Sequence, residues 1–237
     1  MTVASQKDRT LHGYGLIIDT AVEFCAVAVF DLSSGSVISK KVEEIGTGHA
    51  EILMGYVDEV VSNAGVSIRE IKAVGVVTGP GSFTGIRVGV STARGLALAL
   101  GVPSIGVTTF DALSREVLPI ASGRSVLIAI DARRGEFYTA LYAKDGYPLV
   151  PAAVSTTEQA KTLYETYRPL LVGSGAPAIA ADDTSSEIAS LHATADIGTY
   201  AICVSEAFSS GQIEKPRPLY LRAPDAKPQA GFIIERR

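Results

Sequence analysis

The chain has 237 residues, 47% hydrophobic and 19% charged, with a formal net charge of −4 and a pI near 5.4. Such a composition excludes a disordered chain, and the acidic balance argues against an independent nucleic-acid binder, which shows a basic surplus. No apolar run approaches the ~18 residues of a membrane span. The two cysteines, Cys25 and Cys203, suit a reducing compartment, and the first dozen residues lack an apolar signal core. The expectation is a cytoplasmic chain with a flexible extension at 1–13.

The apolar run from Tyr14 to Thr20, with Asp19 at its end, reads as a strand. Cys25–Asp31 and Val37–Glu43, separated by a Ser33-Ser-Gly-Ser36 turn, complete an antiparallel meander. After the Gly46-Thr-Gly48 break, a helix is predicted over about 49–64. Leu53, Val57, Val60 and Ala64 mark its core face. Ile52, Met54, Tyr56 and Val61 widen the apolar arc to about half the circumference, more than one contact needs. The residues leave two readings open: a helix wedged between its sheet and a neighbour, or a helix with part of its arc facing a partner. His49, at the helix N-terminus, reads as a capping or solvated residue.

Residues 73–100 then read as strand, glycine-rich turn and helix. Val74, Val76 and Val77 end at Gly79-Pro80-Gly81, and Ser82 or Thr84 caps the helix. A phosphate-binding loop is disfavoured by spacing. Ile86 stands where a Walker loop needs Lys, and Thr84 where a dinucleotide fingerprint needs Gly. Gly85, Gly89, Ala93 and Ala97 form a small-residue stripe along the helix, with Arg87, Ser91 and Arg94 as its polar strip. So apolar a helix is covered on more than one side, by its own sheet and by a neighbour in this chain or in a partner. Gly101–Val107 returns as a strand.

A short helix follows at Thr108–Val117, and then the opening pattern recurs. Val126-Leu-Ile-Ala-Ile-Asp131 echoes the first strand with its terminal Asp, and Phe137–Ala143 echoes the second. The repeat predicts a duplicated lobe. A helix at 157–167 bounded by Pro169, a strand and turn over Leu170–Ala176, and a last helix at 198–210 complete the second half. Residues 177–197 show no clear pattern. Pro216, Pro218, Pro224 and Pro228 make the end extended, with 218–222 packing back and 223–237 a mobile tail.

Several blocks together resemble the TsaB (YeaZ) family: Gly79-Pro-Gly-Ser-Phe-Thr-Gly-Ile-Arg87, Gly95-Leu-Ala-Leu98, Ile105-Gly-Val-Thr108, Ile18-Asp-Thr-Ala21, Ile130-Asp-Ala-Arg-Arg-Gly-Glu-Phe-Tyr138 and Pro218-Leu-Tyr-Leu-Arg222. The resemblance covers most of 14–145 and the stretch near 216–222. It implies an α/β fold of two duplicated RNase H-like lobes with actin/hexokinase/Hsp70-like (ASKHA) architecture, the N-terminal lobe at 14–108 and the C-terminal lobe at 109–222. It also implies a non-catalytic subunit that pairs with TsaD and, with TsaE, supports transfer of threonylcarbamoyl to the adenosine 3′ of the anticodon. The tRNA is met only through that complex, and a homodimer forms when the partner is absent. TsaD carries a His-x-x-x-His metal pair where this chain has Thr109 and Leu113, so the resemblance implies no metal here. It further implies that the two N-terminal helices form the partner surface. The residues expected there are Ile52, Tyr56, Gly85, Ile86, Gly89, Val90, Ala93 and Ala97.

For a nucleotide, the candidates are Asp19 and Asp131 at the two strand ends and Gly173 and Gly175 in the second-lobe turn. ATP or ADP at the interface with the partner is the expected form, with no cofactor held by this chain alone. Asp at a strand end also serves as a plain turn residue. The alternative function is an autonomous ATP-dependent phosphotransferase of the sugar-kinase architecture. A catalytic residue is not assigned: Ser82 directly follows Gly81 and so departs from the Gly-x-Ser-x-Gly elbow.

Overall fold

The computed structural model describes residues 13–181, 183, 185–213 and 215–222. Of the expected extension only Gly13 falls within them, and the tail at 223–237 lies outside.

Two five-stranded sheets organise the described residues. In the first, β1 (Tyr14–Asp19) pairs antiparallel with β2 (Phe24–Asp31), which pairs antiparallel with β3 (Val37–Glu44). On the other side of β1 lie β4 (Ile71–Val77) and then β5 (Ser104–Val107), both parallel. The second sheet repeats this plan with β6 (Val126–Asp131) at its centre. β7 (Glu136–Tyr142) and β8 (Pro148–Thr156) flank it antiparallel, and β9 (Leu170–Val172) and β10 (Ile188–Ser190) flank it parallel. The internal repeat is therefore a duplicated RNase H-like lobe, and the chain has the two-lobed ASKHA architecture.

Among the described residues six α-helices complete the lobes: α1 (His49–Asn63), α2 (Phe83–Leu100), α3 (Thr109–Val117), α4 (Thr157–Tyr167), α5 (Ala176–Ala180) and α6 (Ile197–Ser210). α1 packs on β2 and β3, and α2 on β4, β1 and β5. The opposite face of the same sheet is covered by α6, and alternation along β4 proves the point. A Cβ on Gly75 would strike Val204 of α6, whereas a Cβ on Gly89 of α2 would meet the neighbouring Val76. Burial on both faces explains why β1 and β4 read as continuous apolar runs.

The position of α6 corrects the expected division at 108/109. This helix follows the second sheet in sequence yet packs on the first, and Ser205 donates to the Leu32 carbonyl at 2.7 Å. One core consequently runs from Leu16 and Val76 through Phe110 and Tyr200 to Val126 and Ile128. A smaller one lies under α4 and α5.

Candidate functional site

The glycine-rich loop between β4 and α2 is held down on the end of β1. Ser82 Oγ accepts from Gly85 N at 3.2 Å and so caps α2, while Ser82 N donates to Ala21 O at 2.6 Å. Thr20 Oγ1 donates to Gly85 O at 2.7 Å. A Cβ on Gly85 would lie 2.0 Å from the Thr20 carbonyl oxygen, and one on Gly89 2.4 Å from Thr20 Oγ1. Both glycines therefore serve close approach of the helix to its own strand.

That geometry corrects the expected partner surface. Gly85, Ile86, Gly89, Val90, Ala93 and Ala97 are all buried inside this chain, against the first sheet. The small stripe does bring a backbone close, but the backbone is Thr20 of β1's end. Ile52 and Tyr56 are half-buried. Ile52 packs on the core. The Tyr56 hydroxyl donates to Glu43 Oε2 at 2.7 Å, a bond that holds the phenol's pKa up at about 12.

What the pair of helices turns outward is a different set. On α2, Arg87, Ser91, Gly95, Leu98 and Ala99 are exposed, and Leu98 is 85% exposed. On α1, Glu51, Met54, Gly55, Asp58 and Ser62 are exposed, Met54 at 51%. A Cβ added at Gly55 or Gly95 would meet no atom within 4 Å. Glycine inside a helix costs roughly 1 kcal/mol relative to alanine. Nothing within the described chain uses the space these two leave. One signal for this face lay in the sequence: Leu98 follows Arg94 by one helical turn, on the side of the polar strip.

The nucleotide candidates fall into two environments. Asp19 is buried, and both its oxygens are engaged: Oδ1 accepts from Ala21 N at 2.8 Å and Oδ2 from Thr194 Oγ1 at 2.9 Å. Thr194 lies 2.7 Å from the buried Tyr200 hydroxyl. Burial pushes the Asp19 carboxyl above its usual value, opposed by those two hydrogen bonds and by nearby His49. His49 is itself buried, with Nε2 3.1 Å from each of the Val22 and Phe24 carbonyls. It ties α1 to the β1–β2 loop, which differs from the solvated capping role expected.

Asp131 is exposed and accepts from Arg133 N at 2.7 Å, while its own N–H donates to Ser174 Oγ at 3.0 Å. The structure thus brings Asp131 to the Gly173–Gly175 turn. The glycines themselves seat the turn on β6 and β7: a Cβ on Gly173 would lie 2.3 Å from Ala129 O, and one on Gly175 2.4 Å from Phe137. Thr109 and Leu113 are both buried. Among the described residues, no group of three or more His, Cys, Asp or Glu is placed to share a metal ion, and no helix is long and apolar enough to cross a membrane.

The extended stretch 216–222 links the lobes. Leu219 N donates to Thr78 O at 2.8 Å, and Tyr220 packs on Phe83 with ring centroids 5.0 Å apart. Arg222 donates to Ala132 O at 3.0 Å and pairs with Glu136 on the β6–β7 hairpin. Two of the sequence blocks, at 130–138 and 218–222, therefore meet in space.

Comparison with known proteins agrees with this geometry. The family model described as TsaD, tRNA N6-adenosine threonylcarbamoyltransferase, matches residues 39–181, more than half of the chain. The TsaB protein of Escherichia coli, named for tRNA threonylcarbamoyladenosine biosynthesis, is 37% identical over 130 residues, 55% of each chain. That match spans about half the length of this curated relative. An uncharacterised protein of Mycobacterium tuberculosis is 32% identical over 91% of this chain and 94% of its own. The solved structure of YeaZ from Pseudomonas aeruginosa superposes with a TM-score of 0.71 at 25% identity, covering 88% of this chain and all of that one. The chain belongs to the TsaB/YeaZ family.

Proposed function

We propose that this chain is a non-catalytic, cytoplasmic subunit of the assembly that makes threonylcarbamoyladenosine on tRNA. In this reading it pairs with a TsaD homologue, joined by a TsaE homologue. The partner performs the transfer of the threonylcarbamoyl group to the adenosine 3′ of the anticodon, and tRNA is met through the complex. ATP or ADP binds at the junction of subunits. Relatives named for the same biosynthesis support the pathway.

The observation that carries the pairing is the outward face of α1 and α2. Leu98 and Met54 stand exposed beside two helix glycines whose space no other atom fills. Exposed apolar side chains next to open glycines suit a closely approaching helix, as small residues let two backbones come together. Charge on this face also suits a like-folded partner: exposed Glu51 and Asp58 on α1 complement Arg87 and Arg94 on α2. The same complementarity serves a two-fold homodimer when the partner is missing.

The autonomous phosphotransferase reading is disfavoured by Asp19, whose two oxygens are spent on Ala21 and Thr194. Reconstitution with the TsaD and TsaE homologues, ATP, threonylcarbamoyl-adenylate as the group donor and tRNA tests the proposal. Omitting this chain should abolish modification. Leu98→Glu should weaken co-elution with the TsaD homologue about 30-fold, the effect of losing one hot spot of ~2 kcal/mol, with the fold intact. Full modification in the absence of this chain would refute the role.

A further inference from the structure

Arg87 differs from four arginines of this chain that form ion pairs. Arg115, Arg124, Arg168 and Arg222 each close on a carboxylate of this chain, Glu206, Glu187, Asp183 and Glu136 respectively. Arg87 closes on an aromatic pair. Its guanidinium carbon lies 3.7 Å from the Phe83 ring centroid and 5.5 Å from that of Tyr220, and Nε donates to the Tyr220 hydroxyl at 2.7 Å. Stacking and one hydrogen bond on the inner edge fix the plane of the fork. The hydrogen bond uses Nε and leaves the two terminal nitrogens, the pair that grips a carboxylate bidentately.

The strap at 216–222 makes this arrangement rigid. It is pinned on one side by the Leu219–Thr78 hydrogen bond and on the other by Arg222 on Ala132 and Glu136. Tyr220, 43% exposed, is held between those anchors. Ordering a long side chain on binding costs conformational entropy, and a fork already ordered avoids much of that cost. Arg87 also begins the exposed strip of α2 that continues through Ser91 and Gly95 to Leu98, one helical face at i, i+4, i+8 and i+11.

We infer that Arg87, preset by Tyr220 and the strap, is the anchor that receives a carboxylate from a helix of the partner subunit. The inference rests on the pairing proposed above. Arg87 is the residue that binds, and Tyr220 is a positioning residue that acts through it. A bidentate partner would fix the register of the two subunits, where the apolar contact at Leu98 alone would tolerate sliding.

Calorimetric titration of the full chain with its TsaD homologue tests this, with thermal melting as the control for folding. Arg87→Ala should weaken pairing about 30-fold, and Arg87→Lys should recover little of it, because an ammonium cannot reproduce a stacked fork. Tyr220→Phe should weaken pairing about 3- to 10-fold and add nothing in the Arg87→Ala background, as for two residues acting as one unit. Wild-type pairing should weaken with salt more steeply than pairing of Arg87→Ala. Wild-type strength in Arg87→Ala would overturn the inference while leaving the pairing intact. Full rescue by Lys would overturn the fork. An undiminished Tyr220→Phe effect in the Arg87→Ala background would overturn the positioning role. A wild-type chain that fails to pair at all would instead bring down the reading beneath it.

Discussion

The two faces of α2 carry the same kind of residue for opposite reasons. Toward β1, Gly85 and Gly89 leave no room: a side-chain carbon would sit 2.0 and 2.4 Å from atoms of Thr20. Toward the outside, Gly95 leaves open space, as does Gly55 on α1. An inward glycine is explained by the fold, since the strand end needs the helix that close. The outward ones cost helix stability and return nothing within the described chain. A small residue in a helix is thus evidence of a close neighbour, and only burial says whether that neighbour belongs to the same chain.

Breaking the inner contact should have the largest effect. Gly85→Ala places a methyl against the Thr20 backbone, which cannot swing aside as a flexible side-chain end does. It also strains the 2.7 Å bond from Thr20 Oγ1 to Gly85 O. Overpacking of this kind costs about 1–3 kcal/mol, and a clash with backbone belongs at or beyond the upper end. Urea unfolding should show a lower midpoint for Gly85→Ala, and a midpoint equal to wild type would show that the loop and α2 are not seated on β1 as described. Any loss of pairing in this variant would be secondary to its loss of stability.

The outer face gives the sharper comparison, because the sign reverses. Gly95→Ala adds a methyl in open space on an exposed helix, so the isolated chain should gain about 0.5–1 kcal/mol. The same methyl should push a partner helix away and weaken pairing with the TsaD homologue. Opposite signs in one variant are hard to obtain from general damage. A Gly95→Ala chain that is both more stable and equally well paired would remove the external reason for the glycine.

Much of the fold was legible in the residues. The meander and its repeat stood out because both central strands are buried on two faces and end alike, at Ile18-Asp19 and Ile130-Asp131. The helix at 157–167 was marked by Pro169 just beyond it, and the capping box of Thr156 and Gln159 at its start went unread. β8 was hidden by Pro148 and Pro151, which an edge strand tolerates and a central one does not. Among the described residues between 176 and 196 lie a five-residue helix and a three-residue strand, each too short for any period to register. The face of α2 was misjudged because Gly85 and Gly95 look alike until depth is known. The Arg87–Tyr220 contact joins residues 133 apart in sequence, beyond the reach of any local pattern.

The smallest expected effect concerns Asp19, the buried counterpart of exposed Asp131. Burial raises its folded-state pKa above the unfolded value, so the native chain holds its proton to higher pH than the unfolded chain does. Its contribution to stability is therefore complete below the unfolded value and declines as pH rises through the folded one. Asp19→Asn removes that ionisation and keeps an amide oxygen for the Ala21 N–H. The amide NH2 then faces Thr194, whose hydroxyl can turn its proton to the Tyr200 oxygen 2.7 Å away. Denaturant unfolding at about pH 4 and about pH 7 should show the variant gaining on wild type as pH rises. Asp131→Asn, at an exposed position, should show no comparable drift. A constant gap between Asp19→Asn and wild type across that range would mean that the Ala21 and Thr194 hydrogen bonds, with His49 nearby, fully offset the burial.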